Sequence, residues 1–227
     1  MQNTPLDERL AALQQEKVVE LVQGGRTGGK ALELALSAIH FAEHVVGLIE
    51  SANPLPQPIA CQAGCHFCCF NQVELTPPEA LFLGQYVEQH FSDGEKQELL
   101  AQISRSLDLK AGKNKIEMAK IRQELPCPLL RDRRCSAHPA RPLMCRAMHS
   151  LDAGQCQAAL ANRDLTSPPY YAHRHEIYFS ISRGLLAGCR AVGCQSAPLE
   201  LARGLRDFFA QPRPLERWIQ GEEVFSI

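Results

Sequence analysis

Residues 61–69 read Cys61-Gln62-Ala63-Gly64-Cys65-His66-Phe67-Cys68-Cys69. Four of these nine positions are cysteine, a density that a plain buried helix face does not need. In a helix, positions i, i+4, i+7 and i+8 fall within about a 100° arc. In a loop, Gly64 supplies the turn that gathers the thiols. Either geometry brings at least three sulfurs within reach of one metal centre. Adjacent cysteines send their side chains apart, so Cys68 and Cys69 together point to a cluster or to two neighbouring metals.

A second group follows: Cys127-Pro128-Leu129-Leu130, Cys135, Arg141-Pro142-Leu143-Met144-Cys145-Arg146, and Cys156. These spacings are too long for a zinc-ribbon knuckle. They suit a loop that wraps around a site begun elsewhere. Pro128, Pro139 and Pro142 stiffen that loop at low entropic cost. Arg141 and Arg146 flank Cys145 and can neutralise thiolate charge or donate hydrogen bonds to sulfur. The bland alternative is that they cap helix ends or pair with surface carboxylates. Of the ten cysteines, Cys189 reads as a plain buried hydrophobe, and Cys194 fits that role or a ligand's equally.

The scaffold around these groups reads as helical. Thr4 can cap a first helix, with Pro5 in its first turn and Leu6, Leu10, Leu13 and Leu21 on one face. Gly24-Gly25 and Gly28-Gly29 interrupt it. A second helix over about 30–51 carries Leu32, Ala35, Ile39, Ala42, Val46 and Ile49 as an apolar stripe, and Pro54 and Pro56 end it. Thr76-Pro77-Pro78-Glu79 and Ser92-Asp93-Gly94-Glu95 are capping boxes that each open a helix. Residues 111–126 are charged and predict a weaker helix. Residues 127–169 predict loops with short helical turns. Ser167-Pro168-Pro169 opens a long helix through Ile177, Ile181 and Leu185, ended by Gly188 or Gly193, and Leu201, Leu205, Phe208 and Phe209 mark another. Strand signals are confined to short pieces such as 72–75 and 224–227. The fold class is therefore mostly α, an irregular helical domain with a loop-rich, cysteine-lined metal centre. Its organisation is an N-terminal helical pair (1–55), a cysteine-cluster metal-binding domain (56–165) and C-terminal helices packing on it (166–227), together one compact unit.

Composition narrows the function classes. A chain of 227 residues buries roughly 72% of its unfolded surface by the usual scaling, so it does not need disulfides to fold. Apolar residues are 45% and charged residues 22%, as in ordinary globular proteins. Lys plus Arg is 24 against 25 Asp plus Glu, which gives no support for nucleic-acid binding. No basic start precedes an apolar run and no stretch approaches 18 consecutive apolar residues, so the reading is cytoplasmic with no membrane partner. In a reducing compartment, clustered cysteines mean metal or redox chemistry. No phosphate-cradling Gly-Lys-Ser/Thr loop, Gly-x-Gly-x-x-Gly or Gly-x-Ser-x-Gly motif is present, so nucleotide hydrolysis and serine-hydrolase chemistry have no support.

The order C-x3-C-x2-C-C, "ELTPPEA", "CPLL", "C-x5-RP-x2-CR", and "SLDAGQC" resembles the YkgJ-type cysteine-cluster family, a zinc- or iron-chelating domain. The resemblance spans roughly 61–156. It implies metal binding through Cys61, Cys65, Cys68, Cys69, Cys127, Cys135, Cys145 and Cys156, and it implies no particular reaction. His138 stands where members often carry Tyr. Thiolate ligation suits zinc or iron, including a 4Fe–4S cluster, and not magnesium or calcium. The segment Cys61-x3-Cys65-x-Phe67-Cys68 also resembles the radical S-adenosylmethionine triad, and the motif is similar to that of flagellin lysine N-methylase. That likeness implies an alternative, an S-adenosylmethionine-dependent iron–sulfur protein lysine N-methylase. A second alternative is an interaction module with a purely structural zinc. The triad belongs with a β/α barrel, and nothing here alternates strand and helix. His66 lies inside the first group as a ligand or a donor to one. His40 and His44, four apart, have no acidic third ligand nearby and read as a helix edge. His173 and His175 read as surface.

Overall fold

Along the chain the helices are α1 (Leu6–Gln23), α2 (Gly28–Ala52), α3 (Pro77–His90), α4 (Asp93–Lys110), α5 (Lys115–Lys120), α6 (Leu143–Ala147), α7 (Ala153–Ala161), α8 (Ala172–Ala191), α9 (Leu201–Ala210) and α10 (Pro214–Ile219). The computed structural model describes residues 5–161 and 167–226. The expected fold class, mostly α, is what it shows. The described strands are two residues long: β1 (Glu74–Leu75) pairs antiparallel with β4 (Leu199–Glu200), and β2 (Leu130–Arg131) pairs with β3 (Arg134–Cys135). No β/α barrel is built from them.

The expected Thr4 cap lies outside the described residues, and Pro5 precedes α1. The expected face of α1 is corrected. Leu10, Gln14, Val18, Leu21 and Val22 are buried, whereas Leu6 and Leu13 are each 52% exposed. The cause is tertiary, because α1 packs along α8 far more extensively than along α2. Two glycines of α8 allow that approach. A Cβ at Gly184 would stand 2.3 Å from the Ala11 carbonyl oxygen, and one at Gly188 would stand 2.5 Å from the Val18 Cβ. Gly184→Ala is therefore expected to destabilise by about 1–3 kcal/mol, since the helices must move apart. Gly47→Ala, at an exposed α2 position with nothing within 4 Å of the new Cβ, should instead stabilise by roughly 0.5–1 kcal/mol through helix propensity. Urea titrations of both variants check the contrast.

Helix α2 is capped by the Thr27 hydroxyl, which accepts from Lys30 N. Its buried row is Ala31, Leu34, Ala35, Ala38, Ile39, Ala42 and Val46. Leu32 and Ile49 of the expected stripe are only partly buried, whereas the alanines of the buried row are fully enclosed. By length and composition α2 is apolar enough to cross a membrane. Here it contacts five other helices, and its carboxylates Glu43 and Glu50 pair with Arg146 and Arg174.

Both expected capping boxes form, at Thr76/Glu79 and Ser92/Glu95. The expected start of the long C-terminal helix at Ser167–Pro169 is corrected to Ala172. Residues 169–171 are held extended: Leu151 N donates to Pro169 O at 2.8 Å, Tyr171 N donates to His149 Nε2 at 2.9 Å, and Tyr171 Oη donates to Gln57 O at 2.6 Å. The helix runs through Gly188 and ends at Ala191, with Gly193 at φ +73° just beyond. The expected strand at 224–227 does not form among the described residues. Val224 N and Phe225 N instead donate to Gln195 Oε1. Ile227 lies outside the described residues.

Candidate metal centre

The first cysteine group is a loop. Gly64 has φ +89°, and Cys65 N donates to Gln62 O at 2.9 Å. A single 3-10 turn, Phe67–Phe70, then carries Cys68 and Cys69. Ala60 N donates to Ser150 O, and Cys127 N donates to Cys69 O at 2.7 Å. The loop is thus stitched by its backbone to the Cys127 segment and to the stretch between α6 and α7, and the later cysteines stand on the segments around these joins.

Those segments arrive in three ways. Asp132 and Arg133, at φ +46° and +60°, form the two-residue turn between β2 and β3, as the right-handed strand twist favours. The hairpin places Cys135 opposite Leu130. Helix α6 carries Cys145. It is held to α3 by Glu79, which is buried: Oε1 accepts from Leu143 N at 2.6 Å, and Oε2 accepts from Thr76 N and Thr76 Oγ1 at 2.7 and 2.8 Å. Burial pushes the Glu79 carboxyl above its ordinary range, against the pull of these donors. Helix α7 carries Cys156 and packs on the Phe67–Phe70 turn.

The eight cysteines fall into two overlapping electrostatic groups. Cys61 is faced by Cys65, Cys68 and Cys156, and hydrogen bonding at Ser150 opposes the rise of Cys61 and Cys156. Burial raises both thiols. The inner group is Cys69, Cys127, Cys135 and Cys145, with Cys68 adjoining. Burial pushes Cys127 up to about 12 and Cys145 well above the thiol range. Backbone hydrogen bonding at Leu129 and Ala137 pulls Cys127 and Cys135 the other way. Donors aimed at sulfur stabilise the thiolate, the form that ligates metal. The hydrogen bond from Cys69 pushes Cys68 down to about 7, and Arg141 adds positive charge beside it. Cys61 and Cys68 are exposed, and the other six are half-buried. Among the described residues, no three His, Cys, Asp or Glu side chains stand closed around a common ion position.

The two flanking arginines divide. Arg141 faces Cys68 and Cys135, and its buried Nε has no partner among the described residues. Arg146 spends its guanidinium on Arg141 O, Pro139 O and Glu43, so it braces the loop. His66 Nδ1 lies 3.3 Å from Gly64 O and 3.5 Å from Arg133 Nε. His138 is held below the usual imidazole range by burial and then by Arg141. Cys189 and Cys194 are buried, apart from this centre, at the end of α8. Cys194 lies against Arg26 and Ile219 O. His40 and His44 are exposed on α2, and His173 pairs with Glu50.

A cavity of about 310 Å³ opens beside the outer group. Cys61, Cys65, Cys68 and Cys156 form part of its wall, with Arg122, His149, Tyr170 and His175 elsewhere around it. Sequence reasoning missed Arg122 and His149. The His149 ring is held between the Ala147 carbonyl at 2.8 Å on Nδ1 and the Tyr171 N–H on Nε2, which fixes a neutral tautomer with its proton on Nδ1. Nothing in "MHSL" distinguishes it from the other seven histidines. The reach of Glu79 to Leu143 was also missed, since the capping box alone gives it a local role.

Residues 60–166 match the model of the CxxCxxCC family, described as "Putative zinc- or iron-chelating domain". The match contains all eight clustered cysteines and bears out the cysteine-cluster resemblance. In this chain three residues, not two, separate the first pair. No curated protein and no solved structure matches the chain.

Proposed function

We propose that the domain over residues 60–166 chelates zinc or iron through its eight clustered cysteines, as two adjoining thiol groups. The observation that carries the reading is that the segments bearing the cysteines meet: Cys127 N donates to Cys69 O, α7 packs on the Phe67–Phe70 turn, and four of the eight line one cavity. The donor set fits borderline and soft metals, zinc and iron among them, and does not suit magnesium or calcium. Cys69, Cys127, Cys135 and Cys145 would hold the inner site. Cys61, Cys65 and Cys156 would hold the outer one, with Cys68 shared between them. Thiol rotamers must turn inward to close either set. Arg141 is the cation placed to offset thiolate charge. A bound metal would tie together segments that otherwise meet through a few backbone bonds, so part of its binding energy is folding energy. A cytoplasmic setting keeps these thiols reduced and belongs to the same proposal. An iron–sulfur cluster is the finer form, since four thiolates with iron and sulfide satisfy the same donors.

The test is metal and acid-labile sulfide analysis of anaerobically purified, reduced protein, with a visible spectrum. At least one equivalent of zinc or iron per chain is expected, and its removal by a chelator should lower the unfolding midpoint. Iron matched by sulfide would establish the cluster form. Protein that takes up neither metal when reconstituted, at unchanged stability, would overturn the proposal.

A further inference from the structure

The cavity beside the outer cysteines is lined by a cation that no described residue pairs. Arg122 lines the cavity, and its buried Nε has no hydrogen-bond partner among the described residues. Neither does its guanidinium enter any ion pair found among them. No side-chain hydrogen bond of Arg122 is found among the described residues either, so its terminal nitrogens are left for a ligand of the cavity it lines. Arg122 is also held in place. Its neighbour Gln123 clamps the end of α7, Nε2 donating to Leu160 O at 2.7 Å and Ala161 O at 3.0 Å. The described lining holds no Asp or Glu to compete for the charge. Much of the remaining wall is apolar, contributed by Phe67, Ala147, Met148, Ala159 and Pro168.

We propose that this cavity binds a small organic monocarboxylate, its carboxylate on Arg122 and its apolar body against Phe67 and Met148. A planar guanidinium matches a carboxylate's two oxygens. A single cation in apolar surroundings suits a monoanion with a hydrocarbon body better than a phosphate dianion, which needs several donors. A volume of about 310 Å³ lies at the low end of the range for small-molecule sites. The proposal deepens the metal-chelating reading by giving its exposed side a ligand. It shares only a wall with the thiols and can fail separately from that reading.

The experiment is calorimetric titration of reduced protein, metal-loaded and metal-free, with phenylacetate and hexanoate as probes, against phenylacetamide and inorganic phosphate. A carboxylate should bind at least about tenfold tighter than phenylacetamide, the discrimination expected of a charged hydrogen bond. Arg122→Gln should lose that preference and Arg122→Lys should keep part of it, both at unchanged metal content and circular dichroism. If Arg122→Gln does not fold, the lysine variant and the probe comparison decide. Binding of neither carboxylate, equal binding of phenylacetamide, tighter binding of phosphate, or indifference to Arg122→Gln would each overturn the proposal. Metal content is measured on the same samples. A protein that binds no metal yet shows the Arg122-dependent preference sinks the chelation reading alone.

Discussion

Cys145→Ser is expected to lose about half of the bound metal and to lower the urea midpoint more than any other single cysteine change. Three features place Cys145 apart. It stands on α6, a helix of five residues that cannot hold its own geometry. It faces Cys127, Cys135 and Cys68 at once. Its half-buried thiol is pushed well above the ordinary range by burial, so a metal is what favours its thiolate there. A serine oxygen is a poor substitute for a soft sulfur. Structural zinc sites can carry on the order of 10 kcal/mol of binding energy that doubles as folding energy, so even a fraction of it would dominate the marginal stability of a domain this size. Cys156→Ser, at a thiol that lines the open cavity, should cost less stability. Cys189→Ala is the control: it opens a small core void and should destabilise modestly at full metal content. Metal per chain and urea midpoint, measured on all three variants, check the order. Equal metal content in Cys145→Ser and the parent protein would remove Cys145 from the ligand set.

Glu79→Ala should cost about 3 kcal/mol and weaken metal retention, although Glu79 ligates nothing. Its carboxylate accepts from two buried backbone N–H groups, Thr76 N and Leu143 N. Leaving each unmet costs roughly 1–3 kcal/mol. Removing a buried carboxyl whose ionised form is penalised by burial returns a part of that. The Leu143 bond fixes the start of α6, two residues before Cys145, so its loss lets the ligand helix drift from the hairpin that bears Cys135. Glu79→Gln is expected to recover only part: the amide oxygen can serve one donor, while the amide N–H₂ confronts another. Urea titration with and without chelator separates the contributions. A loss of stability that persists unchanged in the metal-free protein would confine Glu79 to helix capping.

Much of the scaffold was legible because its signals are local. Thr76/Glu79 and Ser92/Glu95 announce α3 and α4 by the reciprocal hydrogen bonds that their side chains must make. The alanine- and leucine-rich stretch of α2 shows its period within the helix itself. Which side of a helix is buried was less legible. On α1 the polar Gln14 is inside and Leu13 outside, because the contact with α8 is set by Gly184 and Gly188, some 170 residues away in a sequence that gives no sign of the pairing. The strand at Leu199–Glu200 was invisible for the same reason: two residues of extended chain acquire a partner only when Glu74 and Leu75 arrive.

The cysteine spacing by itself determined that this is a thiol-rich centre within a helical scaffold, and named the eight residues that the family match covers. Sulfur chemistry is a property of residue type, and a pattern of residue types is what a sequence contains. Tertiary structure alone decided how those eight divide between an inner and an outer face. It turned Arg141 toward the thiols and Arg146 toward Glu43. It also left Arg122 beside a cavity with no partner among the described residues. These outcomes depend on hydrogen bonds and packing between segments far apart in the chain, such as Cys127 N to Cys69 O and Leu143 N to Glu79, and distances of that kind come into existence only when the chain has folded.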